Sequence, residues 1–366
     1  MKTIIKWSLI SFTALLVACG GSDDAATEAQ TSDEQLKDDL GDTAKSDTAS
    51  DVVTTLADVN GFKITTDTLN PHGYDINGTV VNITAFVKDH SNNPVEDGTV
   101  VTFIADDNGL VEDQCATTNG TCSVKWISSR DRNYDGDYLI TIMARTIGED
   151  SFIDKNANSK FDANETFFTQ SEAFLDANDD GDYDSGFNDY DEYSDYNSNG
   201  SFDSANSTIY KGDSCTDTAK SLGHCTTRIE IWDTIKLVNS AGGAKYNADG
   251  DKISNAVNIS FTDCEGNTVT SITNLTTTEE YCVEFKDSNG NVPPVGTKVE
   301  VTTDNGTIVS KPDATIANMF VTIGSGDTDK LKIKTDGEPS IGDLVIKTTS
   351  TAGLINSLTI PVSDNL

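Results

Sequence analysis

The sequence predicts an all-β chain of two antiparallel β-sandwich domains, at 52–240 and 241–366, the first carrying an acidic insertion at 149–212. Short runs rich in valine, isoleucine, threonine and aromatic residues recur at roughly ten-residue spacing, with Asn, Asp and Gly clusters between them, which is typical of sandwiches. A motif from the first half of the chain also recurs in the second half, and no long segment has a helical period.

The predicted strand at 79–87 is the clearest, because every second residue from Val81 to Val87 is apolar and would face one side of a sheet. Further strands are predicted at 99–104, 123–127 and 138–144, and strand character returns at 226–238. We therefore expect the insertion to interrupt the first domain before its last strand.

A duplicated motif indicates that the two domains are of one type. Residues 88–101 and 286–299 align without a gap, each running from Lys-Asp through a turn with Asn and Pro to Gly-Thr-x-Val. Each copy then reaches Asp-Asn-Gly, at 107–109 and at 304–306. Internal repetition of this length predicts a repeated structural unit.

Together with the turn at 116–121 that leads into Val124 and Trp126, these motifs resemble the bacterial immunoglobulin-like domains of the invasin and intimin type. The resemblance covers residues 60–148 and 255–362. It implies two immunoglobulin-like β-sandwich domains with an adhesive or envelope-organising role. Its motifs are turns and strands rather than active-site residues, so it bears on fold more than on function.

The first residues predict a signal peptide at 1–18, with two lysines, an apolar stretch and small residues at its end. Its ending, Leu-Val-Ala before Cys19, resembles the lipobox of bacterial lipoproteins, which implies that Cys19 is acylated and anchors the chain in a membrane. Gly20 in place of aspartate favours the outer membrane, facing the periplasm or the cell surface. The acidic stretch 19–51 is predicted to be a disordered tether. The alternative is an ordinary signal peptide with a chance cysteine.

The charge balance limits the partners. Acidic residues outnumber basic ones by 60 to 25, for a net charge of −35, which argues against nucleic acids and anionic lipid headgroups. Such acidity fits either a solvated surface or a set of divalent cation sites.

Seven cysteines fit an oxidising compartment. With one assigned to the lipid, six remain, and their pairing is inferred from proximity alone. The expected disulfides are Cys115 with Cys122, Cys215 with Cys225, and Cys264 with Cys282.

Three segments of the insertion match the twelve-residue EF-hand calcium loop, and they begin at Asp154, Asp176 and Asp195. Ca²⁺ prefers six to eight hard oxygens, which alternate side chains and one backbone carbonyl of a curled loop can direct to one centre. Loop 1 alone has an acid at position 12, Glu165, but it has Ser159 where glycine is usual at position 6. The predicted calcium ligands are Asp154, Asn156, Asn158, Lys160, Asp162, Glu165, Glu172, Asp176, Asn178, Asp180, Asp182, Asp184, Asp191, Asp195, Asn197, Asn199, Ser201 and Asp203.

A second regularity accompanies the loops. An acid stands four residues before each loop and an aromatic residue stands two before it; these are Asp150, Glu172 and Asp191, and Phe152, Phe174 and Tyr193. Because loops 2 and 3 lack an acid at position 12, we expect Glu172 and Asp191 to supply their missing oxygens, and loop 1 to bind most tightly. Flanking helices are absent from the pattern, which favours structural calcium over a sensor. An acidic loop that binds nothing is the alternative.

No catalytic motif stands out, and His72, His90 and His224 have the loop contexts of solvated turn residues. We therefore expect a non-enzymatic surface or envelope lipoprotein, a calcium-stabilised adhesion or scaffold module that binds a surface protein or glycan. The alternative is a carbohydrate-binding or accessory protein of a surface enzyme system. Its candidate sugar-stacking residues are Trp126, Trp232, Tyr190, Tyr193 and Tyr196, although strand alternation favours a core position for Trp126.

Overall fold

The computed structural model describes residues 55–106, 109–129, 138–176, 178–186 and 191–364. The signal peptide, the acylation of Cys19 and the tether, all predicted from the sequence, lie outside these residues. In the described part of the chain, no helix combines the length and the hydropathy needed to cross a bilayer.

The first sandwich begins with eight strands and a short 3-10 turn at Val59–Gly61. The strands are β1 (Ala57–Asp58), β2 (Phe62–Thr66), β3 (Val80–Val87), β4 (Val100–Ala105), β5 (Gly109–Val111), β6 (Gln114–Ala116), β7 (Thr121–Ser128) and β8 (Leu139–Glu149).

The insertion follows β8 and holds two-residue strands and one short helix. These are β9 (Ser151–Phe152), β10 (Phe167–Phe168), β11 (Phe174–Leu175), β12 (Glu192–Tyr193), β13 (Tyr210–Lys211), α1 (Asp217–Ser221) and β14 (Cys225–Thr226). They pair as β9 with β10, β11 with β12, and β13 with β14. The Thr216 hydroxyl caps α1 by accepting the Ala219 N–H at 3.4 Å.

The long strand β15 (Ile229–Val238) completes the first sandwich, and the second sandwich follows it. Its strands are β16 (Lys245–Tyr246), β17 (Lys252–Ser254), β18 (Val257–Thr262), β19 (Ile272–Thr273), β20 (Glu279–Asp287), β21 (Lys298–Thr303), β22 (Thr307–Ser310), β23 (Asp327–Lys334), β24 (Ser340–Thr349) and β25 (Ile355–Asp364).

Each sandwich consists of two sheets, and the predicted all-β sandwich class is confirmed. In the first sandwich one sheet has the strand order β2-β3-β7-β5. In the other sheet β8 is central: β15 pairs with one of its edges, β1 and β4 pair with the other edge, and β6 pairs with β4. In the second sandwich the orders are β18-β20-β23-β22 and β19-β25-β24-β21. The predicted alternation on β3 holds, since every second side chain from Val81 to Val87 is fully buried.

The insertion joins two neighbouring strands of one sheet. β15 pairs antiparallel with β8 over ten residues, from Leu139 opposite Val238 to Gly148 opposite Ile229. The chain therefore leaves the sheet at the end of β8 and returns beside its point of departure, so the insertion is fixed to the sandwich at both ends.

Hydrogen bonds of Asn70 join the two sandwiches. Its buried side chain donates to the carbonyl oxygens of Pro293 (2.9 Å) and Ala317 (3.1 Å), and its Oδ1 accepts the N–H of Met319 (3.2 Å). Every hydrogen-bonding atom of this amide is thereby used across the junction, which stabilises one relative placement of the two sandwiches.

Two of the three histidines differ from the prediction of solvated turn residues. His72 lies at the junction with a side chain only 12 % exposed; its Nε2 contacts Asp75 Oδ1 at 2.7 Å and its Nδ1 contacts Thr351 Oγ1 at 2.8 Å. His90 stacks on Phe152 of the insertion, with ring centroids 3.8 Å apart. Both interpretations were wrong because a tertiary contact replaced solvent at a turn.

Candidate metal centre

The three loops of the insertion share one backbone conformation. The φ angles at positions 4 and 6 are positive in each loop: 58° and 59° at Ala157 and Ser159, 61° and 87° at Asp179 and Gly181, and 58° and 78° at Ser198 and Gly200. Left-handed residues at these two points curl the chain tightly. Ser159 takes the conformation that glycine adopts without a Cβ penalty, so the departure at position 6 changes the side chain and not the loop shape.

The acid that opens each loop holds the curl from inside. The Asp154 carboxylate accepts the N–H groups of Asn158 (3.2 Å) and Ser159 (2.8 Å). The same two bonds, at the same positions, recur on Asp176 (3.1 and 3.0 Å) and on Asp195 (3.0 and 2.8 Å). The bond from Ser159 contributes most to a pKa of Asp154 below its ordinary value, so this carboxylate is ionised at neutral pH.

The side chains at positions 3, 5 and 9 converge on one point inside each loop. In loop 1, the Nδ2 groups of Asn156 and Asn158 donate to Asp162 Oδ2 at 2.7 and 2.9 Å. The bond from Asn156 is the largest contribution to a lowered pKa of Asp162. The residues in equivalent contacts are Asn197, Asn199 and Asp203 in loop 3, and Asn178 and Asp184, 3.5 Å apart, in loop 2.

Position 7 contributes a backbone group in the predicted ligand set. The ligand group is the carbonyl oxygen of position 7. The N–H of the same residue donates to the side-chain oxygen at position 5 in every loop, and this bond fixes the backbone at position 7. The pairs are Lys160 with Asn158 (2.7 Å), Asp182 with Asp180 (2.9 Å), and Ser201 with Asn199 (2.7 Å).

The donor set fits calcium better than a transition metal. Within the described residues, no three His, Cys, Asp or Glu side chains lie close enough to form a metal site by themselves. A cation here would therefore need amide and carbonyl oxygens as well as carboxylates, which is the ligand chemistry of Ca²⁺ and not that of Zn²⁺ or Cu²⁺. A half-turn of the Asn156 and Asn158 amides would direct Oδ1 instead of Nδ2 to the loop centre, at the cost of the bonds that these oxygens accept from the N–H groups of Asn158 and Lys160.

Glu165, at position 12, closes loop 1 through two backbone groups. Its Oε1 accepts the N–H of Lys155 at position 2 (2.7 Å), and its Oε2 accepts the N–H of Asp162 at position 9 (3.0 Å). The Glu165 side chain is nearly buried, at 8 % exposure, so its carboxylate is fixed against the loop.

Loops 2 and 3 are closed by acids from outside their own twelve residues. Glu172 accepts the N–H groups at positions 2 and 9 of loop 3, from Tyr196 and Asp203, each at 3.1 Å. Asp191 accepts the position 9 N–H of loop 2, from Asp184, at 2.9 Å. Position 2 of loop 2, residue 177, lies outside the described residues. Glu172, which precedes loop 2, thus closes loop 3, and Asp191, which precedes loop 3, closes loop 2.

The pairing of β11 with β12 explains this exchange. Phe174 and Tyr193, each two residues before its loop, are direct partners in the antiparallel pair. Antiparallel pairing relates the two loops by an approximate two-fold axis, which brings the acid in front of one loop to the far side of the other. The sequence repeat predicts both acids, whereas only the strand pairing assigns each to a loop.

Aromatic rings anchor the loops to one another and to the sandwich. Within each loop the ring at position −2 meets the ring at position 8 edge to face, at 6.0 Å (Phe152 and Phe161), 5.9 Å (Phe174 and Tyr183) and 5.8 Å (Tyr193 and Phe202). Loops 2 and 3 are joined by stacking of Tyr183 on Phe202 at 4.0 Å. Loop 1 instead stacks Phe161 on Tyr210 of β13 at 4.6 Å. These contacts favour a fixed loop arrangement.

Negative charge is concentrated unequally among the loops. Within the described residues, no lysine or arginine forms an ion pair with an acid of loop 1 or loop 3. In loop 2, by contrast, Lys236 Nζ lies 3.3 Å from Asp176 Oδ2 and 2.5 Å from Asp179 Oδ1. Burial acts to lower the pKa of Lys236, but these two carboxylates raise it above its ordinary value. Loop 2 nevertheless has five aspartates, at 176, 179, 180, 182 and 184, so even with Lys236 it keeps more negative charge than loop 1 or loop 3. In every loop a bound cation would offset carboxylate charge.

Asp150, although four residues before loop 1, reaches no loop. Its N–H donates to the Lys211 carbonyl oxygen (2.8 Å), and its Oδ2 accepts the Lys211 N–H (2.9 Å). The neighbouring Glu149 accepts the N–H (3.0 Å) and the hydroxyl (2.6 Å) of Ser214. Burial raises the pKa of Asp150 to about 6 and raises that of Glu149. These acids, whose role the sequence did not reveal, fasten the entrance of the insertion to its exit.

The aromatic residues considered for sugar stacking have different environments. Trp126 is fully buried in the first core, as strand alternation predicted. Trp232 packs on Phe174 at 5.3 Å and donates its Nε1–H to Ser171. Tyr193 lies in the aromatic cluster described above, and residue 190 lies outside the described residues. Tyr196 is partly exposed to solvent, with 41 % of its surface accessible.

The six remaining cysteines form the three pairs expected from proximity. The Cα–Cα distances are 5.9 Å for Cys115–Cys122, 6.7 Å for Cys215–Cys225 and 4.9 Å for Cys264–Cys282. The first links β6 to β7, the second connects the segment before α1 to β14, and the third connects a turn to β20. Each bridge therefore reinforces a local element rather than joining the two sandwiches.

Comparison with known proteins finds only distant structural similarity. No family model and no curated protein matches this chain. Among solved structures, the Yersinia pseudotuberculosis adhesin InvE is 10 % identical, with a TM-score of 0.24 over 87 % of this chain and 62 % of that chain. Invasin, a bacterial integrin-binding protein, is 10 % identical, with a TM-score of 0.23 over 83 % of this chain and 39 % of that chain. The D0-D1 domain of intimin is 11 % identical, with a TM-score of 0.22 over 82 % of this chain and 97 % of that chain. The chain spans less than two thirds of the first two proteins, and its fold assignment stands on the strand pairing above.

Proposed function

We propose that this chain is a non-enzymatic outer-membrane lipoprotein, anchored through acylated Cys19, whose insertion binds calcium as a structural ion. The observation that carries the proposal is the common geometry of the three loops, each closed by a carboxylate on the N–H of position 9. Two of these carboxylates come from outside their loops, so the closure is not a by-product of local sequence.

The ions would be held by side-chain oxygens at positions 1, 3, 5 and 9, the carbonyl oxygen of position 7, and the closing acid. The closing acids are Glu165 for loop 1, Asp191 for loop 2 and Glu172 for loop 3. A bound ion supplies positive charge to carboxylates that otherwise repel one another, and it cross-links residues distant in sequence. Because the loops lack flanking helices to reorient, the ion stiffens the insertion rather than switching it.

An adhesive or scaffolding role agrees best with the rest of the molecule. The turn and strand motifs resemble invasin-type domains, and Asn70 and His72 hold the two sandwiches together. Asp75, His72 and Thr351 are connected like a hydrolase triad, but they join groups from both sandwiches, and we assign them to the junction. The partner in this proposal is a surface protein or a glycan, with exposed loops as the contact surface.

Calorimetric titration of the EDTA-treated protein tests the calcium proposal. We expect more than one site, with Asp154→Ala removing the tightest one and Asp217→Ala, an exposed acid on α1, removing none. Calcium at a hundredfold excess over Kd stabilises the folded state by about 2.7 kcal/mol. EDTA should therefore lower the melting temperature and open residues 149–212 to protease while the second sandwich stays resistant. Unchanged melting and unchanged cleavage in EDTA would refute structural calcium.

A further inference from the structure

A cleft beside loop 3 remains outside the functions assigned so far. It has a volume of about 190 Å³ and lies between the segment 170–172, loop 3 and the start of β15. At about 30 Å³ per water, it holds about six water molecules, a space suited to one small polar ring. Its lining combines an aromatic ring, hydroxyls and charged groups, the composition expected of a site for a polar ligand with one apolar face.

Tyr196 is the aromatic wall of this cleft. Its backbone N–H is held by Glu172 Oε1 at 3.1 Å, which fixes the residue at position 2 of loop 3, yet 41 % of its surface is exposed. Within the described residues, its hydroxyl makes no hydrogen bond. A half-exposed ring with a fixed backbone offers a preorganised face for stacking and a free hydroxyl at its rim.

The opposite wall of the cleft offers two threonine hydroxyls. Thr226 and Thr227 are exposed, and their hydroxyls have no hydrogen-bond partner among the described residues. Arg228 is paired with Asp213 at 2.6 Å, and Glu230 is paired with Arg145 at 3.3 Å. Arg228 and Glu230 therefore already have partners, whereas Lys211, which also lines this end of the cleft, forms no ion pair among the described residues. The lining as a whole has two cationic side chains, Lys211 and Arg228, against three acidic ones, Glu172, Asp203 and Glu230, so it has no excess of positive charge to hold an acidic ligand.

We propose that this cleft binds one residue of a neutral saccharide, with a sugar face stacked on Tyr196 and sugar hydroxyls bonded to Thr226 and Thr227. A polyanionic ligand is disfavoured because the whole chain carries a net charge of −35. The inference rests on the proposed function in one respect. Glu172 and Asp203 both line the cleft and close loop 3, so calcium in loop 3 would also order the sugar site.

Saturation-transfer NMR on the full-length protein tests the proposal. The probes are the methyl glycosides of glucose, galactose, mannose and N-acetylglucosamine, their short β-linked oligomers, and galacturonate as an acidic counterpart. We expect binding of at least one neutral probe, and Tyr196→Ala to weaken it by about tenfold or more, as loss of an aromatic anchor does. Tyr246→Ala, which removes a 58 % exposed tyrosine from the second sandwich, should leave binding unchanged.

Thr227→Val provides a second variant if Tyr196→Ala does not fold, and it should also weaken binding. No binding of any neutral probe, equal losses in Tyr196→Ala and Tyr246→Ala, or binding of galacturonate alone would overturn the saccharide site. Repeating the titration in EDTA separates the two proposals. Sugar binding that persists in EDTA, in a protein that takes up no calcium, contradicts structural calcium alone, whereas calcium uptake without sugar binding contradicts the saccharide site alone.

Discussion

Replacing Glu172 by glutamine should damage loop 3 and spare loop 2, although Glu172 stands four residues before loop 2. Each Glu172 oxygen accepts one backbone N–H of loop 3, at 3.1 Å. Glutamine keeps one acceptor and turns a donor toward the other N–H, so one hydrogen bond to a charged group is lost. Such a bond contributes about 2 kcal/mol, which corresponds to a fall of about 4–8 °C in melting temperature for a domain of this size.

Hydrogen exchange followed by mass spectrometry locates the effect. In Glu172→Gln, peptides covering 195–203 should exchange faster, because the N–H groups of Tyr196 and Asp203 lose their acceptor, while peptides covering 178–186 keep their protection. In a calcium titration of the same variant, one site should weaken by at least about 10- to 100-fold, the range for a group that only supports metal ligands, because Glu172 is the proposed closing ligand of loop 3. Glu192→Gln is the matched control, since the carboxylate of this exposed residue on β12 makes no hydrogen bond or ion pair with the described residues. Faster exchange in 178–186 alone, or identical behaviour of the two variants, would refute the crossed assignment.

Three further predictions follow from other parts of the molecule. Cys19→Ser should move the protein from the membrane fraction to the soluble fraction, and palmitate labelling that persists in the variant would contradict acylation at this residue. Burial raises the pKa of Asp287 to about 6, against about 3.9 in the unfolded chain, so its contribution to stability is present below pH 4 and is lost as the pH rises through 6. The stability of the wild type relative to Asp287→Asn should therefore fall by up to about 3 kcal/mol between pH 4 and pH 7, and a difference that does not vary with pH would contradict the shift. Loss of the Cys215–Cys225 bridge in a double serine variant should cost about 2–3 kcal/mol and sensitise 149–212 to protease with both sandwiches still folded, whereas cooperative loss of the whole molecule would contradict its local role.

Local patterns predicted most of the fold, because period-two alternation and turn chemistry act over a few residues. β3 illustrates this: the predicted strand at 79–87 matches Val80–Val87, and its apolar side chains are buried. The phase of the three loops is likewise a short-range property, and the positions assigned to them have equivalent hydrogen bonds in the structure.

Contacts between segments distant in sequence were not predictable from spacing. The crossed closure of loops 2 and 3 depends on the pairing of β11 with β12. Strands of two residues are too short to show an alternating pattern in the sequence, so this pairing could not be predicted. The upstream acid Asp150 shares its spacing with Glu172 and Asp191 but binds the Lys211 backbone instead, because loop 1 has its own closing acid. His72 has a partner in the second sandwich, Thr351, which no local motif indicates.

The return of the insertion beside its own starting point has a mechanical consequence. A pull between β1, the first strand of the first sandwich, and the second sandwich reaches β15 at Val238 and is passed to β8 by the ten paired residues, which load together in shear. The loops carry none of this load while β15 stays in the sheet. If β15 separates from β8, the chain between Glu149 and Ile229 can extend. The Cys215–Cys225 disulfide keeps the residues inside its loop, with a sequence separation of 10, out of this extension. About 70 residues at about 3.4 Å each release roughly 240 Å of extension. If the loops bind calcium as proposed, the insertion would release that length in steps, one loop at a time, and each step would limit the force that reaches the second sandwich.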